Sequence, residues 1–183
     1  MSRIIALLLI FLILPIYILI AFIVYISDGL PVFYVQKKLG LNHKEFNLYK
    51  FRTMKKNTPE IPTEEMNNSS KYIIKFGLFL RKFSLDELPQ FFNVLKGDMN
   101  FVGPRPCMSS NEEIVRKLRE EKRIHKIKPG ITGWAQVNGR DLNSFENKVE
   151  LDNYYLLNRS LWLNFKIILK TFFVVLVQRN IKH

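Results

Sequence analysis

The stretch Ile4–Ile26, IIALLLIFLILPIYILIAFIVYI, contains 23 residues and no charged side chain. Because about 20 apolar residues cross the hydrocarbon core of a bilayer, this length predicts a membrane-inserted segment. Pro15 lies near its middle, where it removes a backbone hydrogen bond and predicts a kink. A kinked helix that crosses the bilayer and two arms of about 11 residues in one leaflet both fit these residues. A cleaved signal peptide is disfavoured, because the run is longer than a usual apolar region of that kind and no small-residue cleavage site follows.

Charge narrows the classes of partner. The 183 residues include 28 lysines and arginines against 16 aspartates and glutamates, a net charge of +12. This surplus predicts an anionic partner, either nucleic acid, acidic lipid headgroups or phosphorylated small molecules. Nucleic acid is disfavoured, because the basic residues are scattered and a membrane segment precedes them. Arg3 is the only basic residue before the apolar stretch, so the positive-inside tendency predicts a cytoplasmic main domain.

The rest of the chain, residues 28–183, is predicted to form one small α+β domain that is mainly helical. Two β-prone segments, Pro31–Val35 and Phe46–Phe51, flank Gly40 and Asn42 and predict a β-hairpin. The apolar content of 48% is enough for a folded core and excludes overall disorder. A single cysteine excludes an intramolecular disulfide and a thiolate metal cluster, and it favours a reducing compartment.

Three helices are predicted from apolar spacing and charge. Ile73–Phe83 is amphipathic, and it can pack on the domain or lie among lipid headgroups. Asn111–Lys126 is rich in charge and predicts a solvated helix. Leu161–Val177 is strongly apolar, but Lys166 and Lys170 interrupt it one turn apart, which argues against a second membrane span. An interfacial or core helix is expected there.

The hexapeptide SLDELP, Ser84–Pro89, is the sharpest candidate for chemistry. Ser84 followed three residues later by Glu87 is a capping box, which predicts that a helix starts here. Asp86 and Glu87 would lie in its first turn, where the helix dipole favours carboxylates. Adjacent side chains point about 100° apart, so both acids cannot serve one cap. Simple capping remains the structural alternative to catalysis.

Two loop segments are candidate phosphate-binding elements. Arg105 follows Gly103-Pro104 and precedes Pro106, and these rigid neighbours reduce the entropy lost when a guanidinium binds an oxyanion. A surface arginine in an ordinary turn is the alternative. The segment Lys128–Arg140, KPGITGWAQVNGR, contains three glycines that suggest backbone close to a ligand. It lacks the Gly-Lys-Ser/Thr of a P-loop.

Asp152 is a candidate because it lies on an apolar helix face with Phe145, Val149 and Leu156. A carboxylate in such surroundings needs a partner, usually an arginine, a lysine or a metal ion. A structural salt bridge and a catalytic role both remain open for it.

Together these segments resemble the bacterial sugar transferases that are monotopic polyprenyl-phosphate phosphoglycosyltransferases. Their order and spacing cover nearly the whole chain. The matching stretches are Gly29–Phe33 with Gln36, Tyr49–Met54, Ser84–Gln90, Asn93–Asp98, Phe101–Pro106, Pro129–Arg140, and Glu150–Asp152 with Tyr154 and Tyr155.

The resemblance implies transfer of a phosphosugar from a nucleotide diphosphate sugar, usually a UDP-sugar, to polyprenyl phosphate, with release of UMP. It implies that Asp86 is the nucleophile and that Glu87 helps catalysis by holding Mg²⁺. A carboxylate at a helix N-terminus is expected to stay ionised, and it can attack phosphorus to give an acyl phosphate. The resemblance also implies a substrate-binding set around the phosphates: Lys50, Arg105, Gln136, Arg140 and Asp152.

The same resemblance favours the re-entrant geometry over a spanning one. Residues 1–27 would form a helix–break–helix near Pro15 with both ends cytoplasmic, and residues 28–183 a catalytic domain at the inner membrane of a bacterium. Leu14 stands where members often carry serine. Membrane lipids and downstream glycosyltransferases are expected partners. The alternative function is a basic, non-catalytic scaffold that binds anionic lipid or a partner glycosyltransferase. Asp86 distinguishes the two functions, because only the enzyme needs its carboxylate. The motifs do not specify the sugar.

Overall fold

The chain is mostly helical, and a computed structural model describes its residues 2–58, 69–108, 113–139 and 144–177. The helices are α1 (Ser2–Leu12), α2 (Leu14–Asp28), α3 (Gly77–Lys82), α4 (Gln90–Lys96), α5 (Glu113–Glu121), α6 (Trp134–Val137), α7 (Phe145–Leu157) and α8 (Leu161–Val177). The strands are β1 (Phe33–Leu39), β2 (Glu45–Phe51), β3 (Asn100–Val102), β4 (Cys107–Met108) and β5 (Gly130–Thr132). This composition confirms the predicted mixture of many helices with few strands.

The predicted hairpin is confirmed. β1 and β2 pair in antiparallel register from Phe33 opposite Phe51 to Leu39 opposite Glu45. β4 adds to the other edge of β1, which gives the strand order β2-β1-β4. A separate parallel pair, β3 with β5, brings the chain before Arg105 beside the glycine-rich segment. The two small sheets therefore place the two loop candidates next to each other.

The apolar N-terminal stretch is broken, as Pro15 predicted. α1 and α2 meet at Ile13 and are bent by 64°. Pro15 lies in the first turn of α2, where its missing N–H would have had no helical partner. No single helix among the described residues is long and apolar enough to cross a bilayer. The bent pair, taken as a whole, has the length and the apolar composition that a crossing needs.

Both arms of this pair pack on the same domain. Ala6 on α1 is fully buried in a cluster with Val94 of α4. Ile20 on α2 is buried in a second cluster with Phe51 of β2. The Tyr17 hydroxyl donates a hydrogen bond to the Leu88 carbonyl, two residues before α4 begins. The bent pair is thus anchored along its length by apolar contacts.

The predicted helix over Ile73–Phe83 is shorter than expected. Residues 69–72 form a 3₁₀ turn and Ile73 makes an isolated bridge with Met54, so the α-helix begins only at Gly77. The Ile74 N–H donates to the Thr53 carbonyl at 3.0 Å, which holds this segment extended beside the chain that follows β2. The long-range bond thus replaces helical bonds that spacing alone would favour.

The predictions for Asn111–Lys126 and Leu161–Val177 agree better with the structure. The charged segment Asn111–Lys126 contains α5 and a 3₁₀ turn at Ile124–Lys126, while its first two residues lie outside the described part of the chain. α8 has the predicted bounds. Its Leu163 and Ile167 are buried with Val102 and Tyr155, whereas its opposite face is exposed. One side of α8 therefore belongs to the hydrophobic core, and the other side is exposed.

Candidate active site

Asp86 and Glu87 lie in a 3₁₀ turn, Leu85–Glu87, and the predicted capping box is wrong. Ser84 has φ 54° and its side chain makes no cap hydrogen bond. The Glu87 N–H instead donates to the Ser84 carbonyl at 3.2 Å. Pro89, which has no N–H to donate, precedes Gln90, where α4 begins. The two acids therefore lie before α4, in a 3₁₀ turn that follows Ser84, whose backbone is in the left-handed conformation.

The Asp86 carboxyl is buried, with 8% of the residue exposed. Burial raises its pKa to about 6, and the neighbouring Glu87 charge acts in the same direction. Lys50 most strongly, then Arg81 and Arg105, act to lower the pKa. Desolvation thus outweighs the nearby cations, but a pKa of about 6 still leaves most of the Asp86 carboxyl ionised at pH 7. The part of the expectation that fails is the helix N-terminus, because Asp86 lies in the 3₁₀ turn before α4.

Glu87 joins the predicted lysine and arginine. Its Oε1 accepts a hydrogen bond from Lys50 Nζ at 2.8 Å and another from Arg105 Nη2 at 3.3 Å. Lys50 comes from β2 and Arg105 from the loop before β4, so two distant segments meet at one carboxylate. The structure therefore brings Lys50, Glu87 and Arg105 together in one cluster beside Asp86.

Glycines fix the backbone that carries Arg105. The Gly103 N–H donates to the Thr132 carbonyl and the Gly130 N–H donates to the Pro104 carbonyl, both at 2.9 Å. A Cβ at Gly130 or Gly133 would overlap the Gly103 backbone. At these two positions the chain itself fills the space where a Cβ would lie, which explains the glycines without a ligand. The two glycines hold the arginine loop in place. The expected contact between this segment and a ligand stays a prediction.

Asp152 does not reach Glu87 directly. Its Oδ2 accepts a hydrogen bond from Arg119 Nη2 at 2.6 Å, and the side chain is only 2% exposed. Arg119 Nη1 in turn donates to the backbone carbonyl of Arg105 at 2.8 Å. Burial raises the pKa of Asp152 and Arg119 opposes the rise. Asp152 thus forms a buried salt bridge that is connected to the Arg105 backbone, and its implied substrate contact stays a prediction.

Among the described residues, Gln136 makes no hydrogen bond to this cluster. Gln136 lies on α6, and its buried amide oxygen and nitrogen have no hydrogen-bond partner among the described residues. Its amide oxygen lies beside Gly133. Arg140 lies outside the described residues. Their expected substrate contacts therefore stay predictions.

Sequence reasoning missed Arg81 and Arg119. Arg81 Nε donates to Thr53 Oγ1 at 2.9 Å, and the pKa of Arg81 is lowered by burial although the charge of Asp86 opposes this. Arg119 lies four residues after Val115, which is buried, so it shares the inner face of α5. That spacing was the available signal for Arg119. Arg81 gave no signal, because it looked like part of the polar face of an amphipathic helix.

The expected Mg²⁺ would depend on the carboxylates of the site for its protein ligands. Among the described residues, no group of three His, Cys, Asp or Glu side chains could hold a metal ion. Mg²⁺ is commonly bound by one or two carboxylates together with substrate phosphates and waters. The adjacent acids Asp86 and Glu87 fit that donor set only when a phosphorylated substrate supplies further oxygen ligands.

Comparisons with known proteins identify the family of this chain. The family described as "Bacterial sugar transferase" matches residues 1–178. The chain belongs to the bacterial sugar transferase family. Within it, the uncharacterized sugar transferase EpsL of Bacillus subtilis (strain 168) is 43% identical over 166 residues, which are 87% of this chain and 77% of EpsL.

Two further members of the bacterial sugar transferase family have named activities. The UDP-glucose:undecaprenyl-phosphate glucose-1-phosphate transferase of Escherichia coli (strain K12) is 41% identical over 93% of this chain and 38% of its own length. The UDP-N-acetylgalactosamine-undecaprenyl-phosphate N-acetylgalactosaminephosphotransferase of Aeromonas hydrophila is 38% identical over 80% of this chain and 36% of its own length. The chain thus spans less than two fifths of these longer relatives.

Proposed function

We propose that this chain transfers a phosphosugar from a UDP-sugar to a polyprenyl phosphate such as undecaprenyl phosphate, with release of UMP. The observation that carries the proposal is the buried Asp86 carboxyl beside the Lys50–Glu87–Arg105 cluster. The names of the two longer relatives, which specify UDP-sugars and undecaprenyl phosphate, support the substrate classes.

In the first step, an Asp86 carboxylate oxygen attacks the phosphorus that carries the sugar. The bond from that phosphorus to the bridging oxygen breaks, and UMP leaves with its electron pair. The product is a phosphosugar–Asp86 acyl phosphate. Lys50 and Arg105 are placed to offset the negative charge of the donor diphosphate. Mg²⁺, with Glu87 as a ligand, would supply further charge neutralisation there.

In the second step, a phosphate oxygen of the polyprenyl phosphate attacks the same phosphorus. The bond to Asp86 breaks, the free carboxylate returns, and a polyprenyl diphosphate sugar is formed. Two separate displacements suit one water-soluble and one lipid substrate, because the site need not hold both together.

We propose the cytoplasmic face of the bacterial inner membrane as the location, with α1 and α2 as a re-entrant pair. Support comes from the two ends of the pair. The Arg3 guanidinium lies against Gly97 after α4, and Asp28 pairs with Arg52 after β2 at 3.2 Å. Both ends thus contact one domain, whereas a straight helix of this length would separate them by roughly 40 Å.

Trapping of the intermediate tests the proposed chemistry. The full chain in nanodiscs is incubated with Mg²⁺ and a UDP-sugar labelled with ³²P on the sugar-side phosphate, without acceptor. UDP-glucose, UDP-galactose and UDP-N-acetylgalactosamine form the panel. We expect one equivalent of UMP and label on the peptide that contains Asp86, and the label moves to lipid when polyprenyl phosphate is added. Label on another residue, or UMP turnover without labelled protein, would contradict the mechanism. No UMP from any donor would favour the scaffold.

The pH dependence of this first step gives a further prediction. Only the ionised carboxylate attacks, and burial raises the pKa of Asp86 to about 6. We therefore expect kcat/KM for UMP release to be flat above pH about 6 and to fall about tenfold per pH unit below it. Single-turnover assays without acceptor measure this, and thermal unfolding over the same range shows that the protein stays folded. A profile that remains flat down to pH about 4 would contradict a buried nucleophile.

A further inference from the structure

Two lysines of α8 share one indole ring. Lys166 Nζ lies 5.7 Å and Lys170 Nζ 4.8 Å from the centroid of the Trp134 ring. The ring is also stacked on Tyr154 with centroids 5.4 Å apart. We call the set of Trp134, Lys166 and Lys170 the Trp134 platform. Cation–π contacts of this kind hold the ammonium groups in place.

The positive charge of the Trp134 platform is not neutralised within the described residues. The ion pairs found there involve neither Lys166 nor Lys170. Lys170 Nζ donates to the side-chain oxygen of Asn138 at 3.0 Å, and that amide carries no charge. Two ammonium groups on one ring repel each other, so an anion between them would stabilise the arrangement.

The position of the lysines on α8 indicates which anion fits. Trp162 and Phe173 are 73% and 68% exposed, and they belong to the outer apolar face of the helix. At about 100° per residue, both lysines lie between that face and the buried Ile167. Lysines at the edge of an exposed apolar face extend to the phosphate level of a bilayer while the apolar side chains contact acyl chains.

We propose that the Trp134 platform binds the phosphate of an anionic phospholipid headgroup. A soluble phosphate would use the charge but not the exposed apolar face beside it, whereas a phospholipid uses both. This inference rests on the membrane placement proposed above and not on the chemistry at Asp86. It gives α8 a specific lipid contact in addition to its packing on Val102 and Tyr155.

Fluorescence of Trp134 provides the test. Trp134 and Trp162 are the two tryptophans, so Trp162→Phe leaves Trp134 as the single reporter. The full chain with this change is placed in phosphatidylcholine nanodiscs that contain increasing fractions of phosphatidylglycerol. We expect the Trp134 emission to change and saturate at a low fraction. In K166Q/K170Q the fraction at half-saturation should rise about fivefold per lysine removed, and in K166R/K170R it should stay nearly unchanged.

The matched control is K117Q/K148Q, which removes the same charge. Lys117 pairs with Glu113, and Lys148 lies over the exposed ring of Phe145, as the platform lysines lie over Trp134. We expect this control to titrate like the protein without lysine changes. An equal rise of the half-saturating phosphatidylglycerol fraction in the control, or no rise in K166Q/K170Q, would overturn the proposal. If the double variant does not fold in neutral nanodiscs, each single variant takes its place with an expected fivefold rise.

A second lipid series identifies the source of the phosphate. Polyprenyl phosphate at matched negative charge replaces phosphatidylglycerol in the same nanodiscs. A response to polyprenyl phosphate alone would overturn the assignment to a phospholipid headgroup. A response to phosphatidylglycerol that depends on Lys166 and Lys170 supports it. Because the readout does not involve UMP, its outcome is independent of the test of Asp86.

Discussion

Asp86→Asn should abolish UMP release from a UDP-sugar while making the folded protein more stable. Asparagine has nearly the same shape as aspartate but cannot form the acyl phosphate, so we expect the rate to fall by at least about a thousandfold. If the protein were only a scaffold, membrane binding would be its only activity, and the substitution would leave that binding unchanged. UMP assays on the folded variant in nanodiscs measure the difference.

The expected gain in stability follows from burial of the Asp86 charge. Because its pKa is raised to about 6, the folded protein holds the proton more tightly than the unfolded chain does. Stability therefore falls as the pH rises from about 4 to about 6 and stays low above it, by at most about 3 kcal/mol. Asparagine removes this loss, so the unfolding temperature at pH about 7.5 should rise by several degrees.

Glu45→Gln is the control for Asp86→Asn. It removes one negative charge from an exposed residue that pairs with Lys37 at 3.7 Å. We expect its UMP release to be unchanged and its free energy of unfolding to shift by less than about 1 kcal/mol. Persistent turnover in Asp86→Asn would remove Asp86 as the nucleophile. A lower unfolding temperature in that variant would mean that its charge stabilises the fold.

Local patterns in the sequence predicted the elements that depend on nearby residues. The hairpin followed from two β-prone segments around Gly40, and the break in the apolar stretch followed from Pro15. The bounds of α8 followed from its apolar run. Lys50, Glu87 and Arg105 were assigned to one site through the family resemblance, and the structure brings them together at one carboxylate.

What the sequence could not predict depends on contacts between distant segments. The backbone conformation of Ser84 decides against the capping box, and no residue spacing reveals a left-handed serine. The role of Gly130 depends on Gly103, with which it makes a close backbone contact. The raised pKa of Asp86 depends on burial by neighbouring elements, which a pattern of six residues does not contain. Local rules fail here because tertiary packing overrides them.

Asp152→Asn should strongly destabilise the fold although burial raises the pKa of Asp152, because this carboxylate is paired directly, at 2.6 Å, with the buried Arg119 guanidinium. The two side chains are 2% and 12% exposed, and the substitution leaves the guanidinium charge without its carboxylate in a buried position. We expect a loss of about 3 kcal/mol in the free energy of unfolding and a fall of about 10 °C in the unfolding temperature. Thermal and denaturant unfolding in one detergent measure both quantities.

Glu150→Gln provides the matched control, because Glu150, on α7 like Asp152, pairs at 2.7 Å with Lys122 just after α5 but is 59% exposed. We expect it to cost less than about 1 kcal/mol. Combining Asp152→Asn with Arg119→Met should recover most of the stability, because no buried charge then lacks a partner. UMP release should nevertheless be lower in that double variant than in the unchanged protein, since methionine cannot donate the hydrogen bond by which Arg119 holds the Arg105 carbonyl. Full UMP release by the double variant would show that the Asp152–Arg119 pair serves only to stabilise the fold. A stable Asp152→Asn would show that Arg119 does not need this carboxylate.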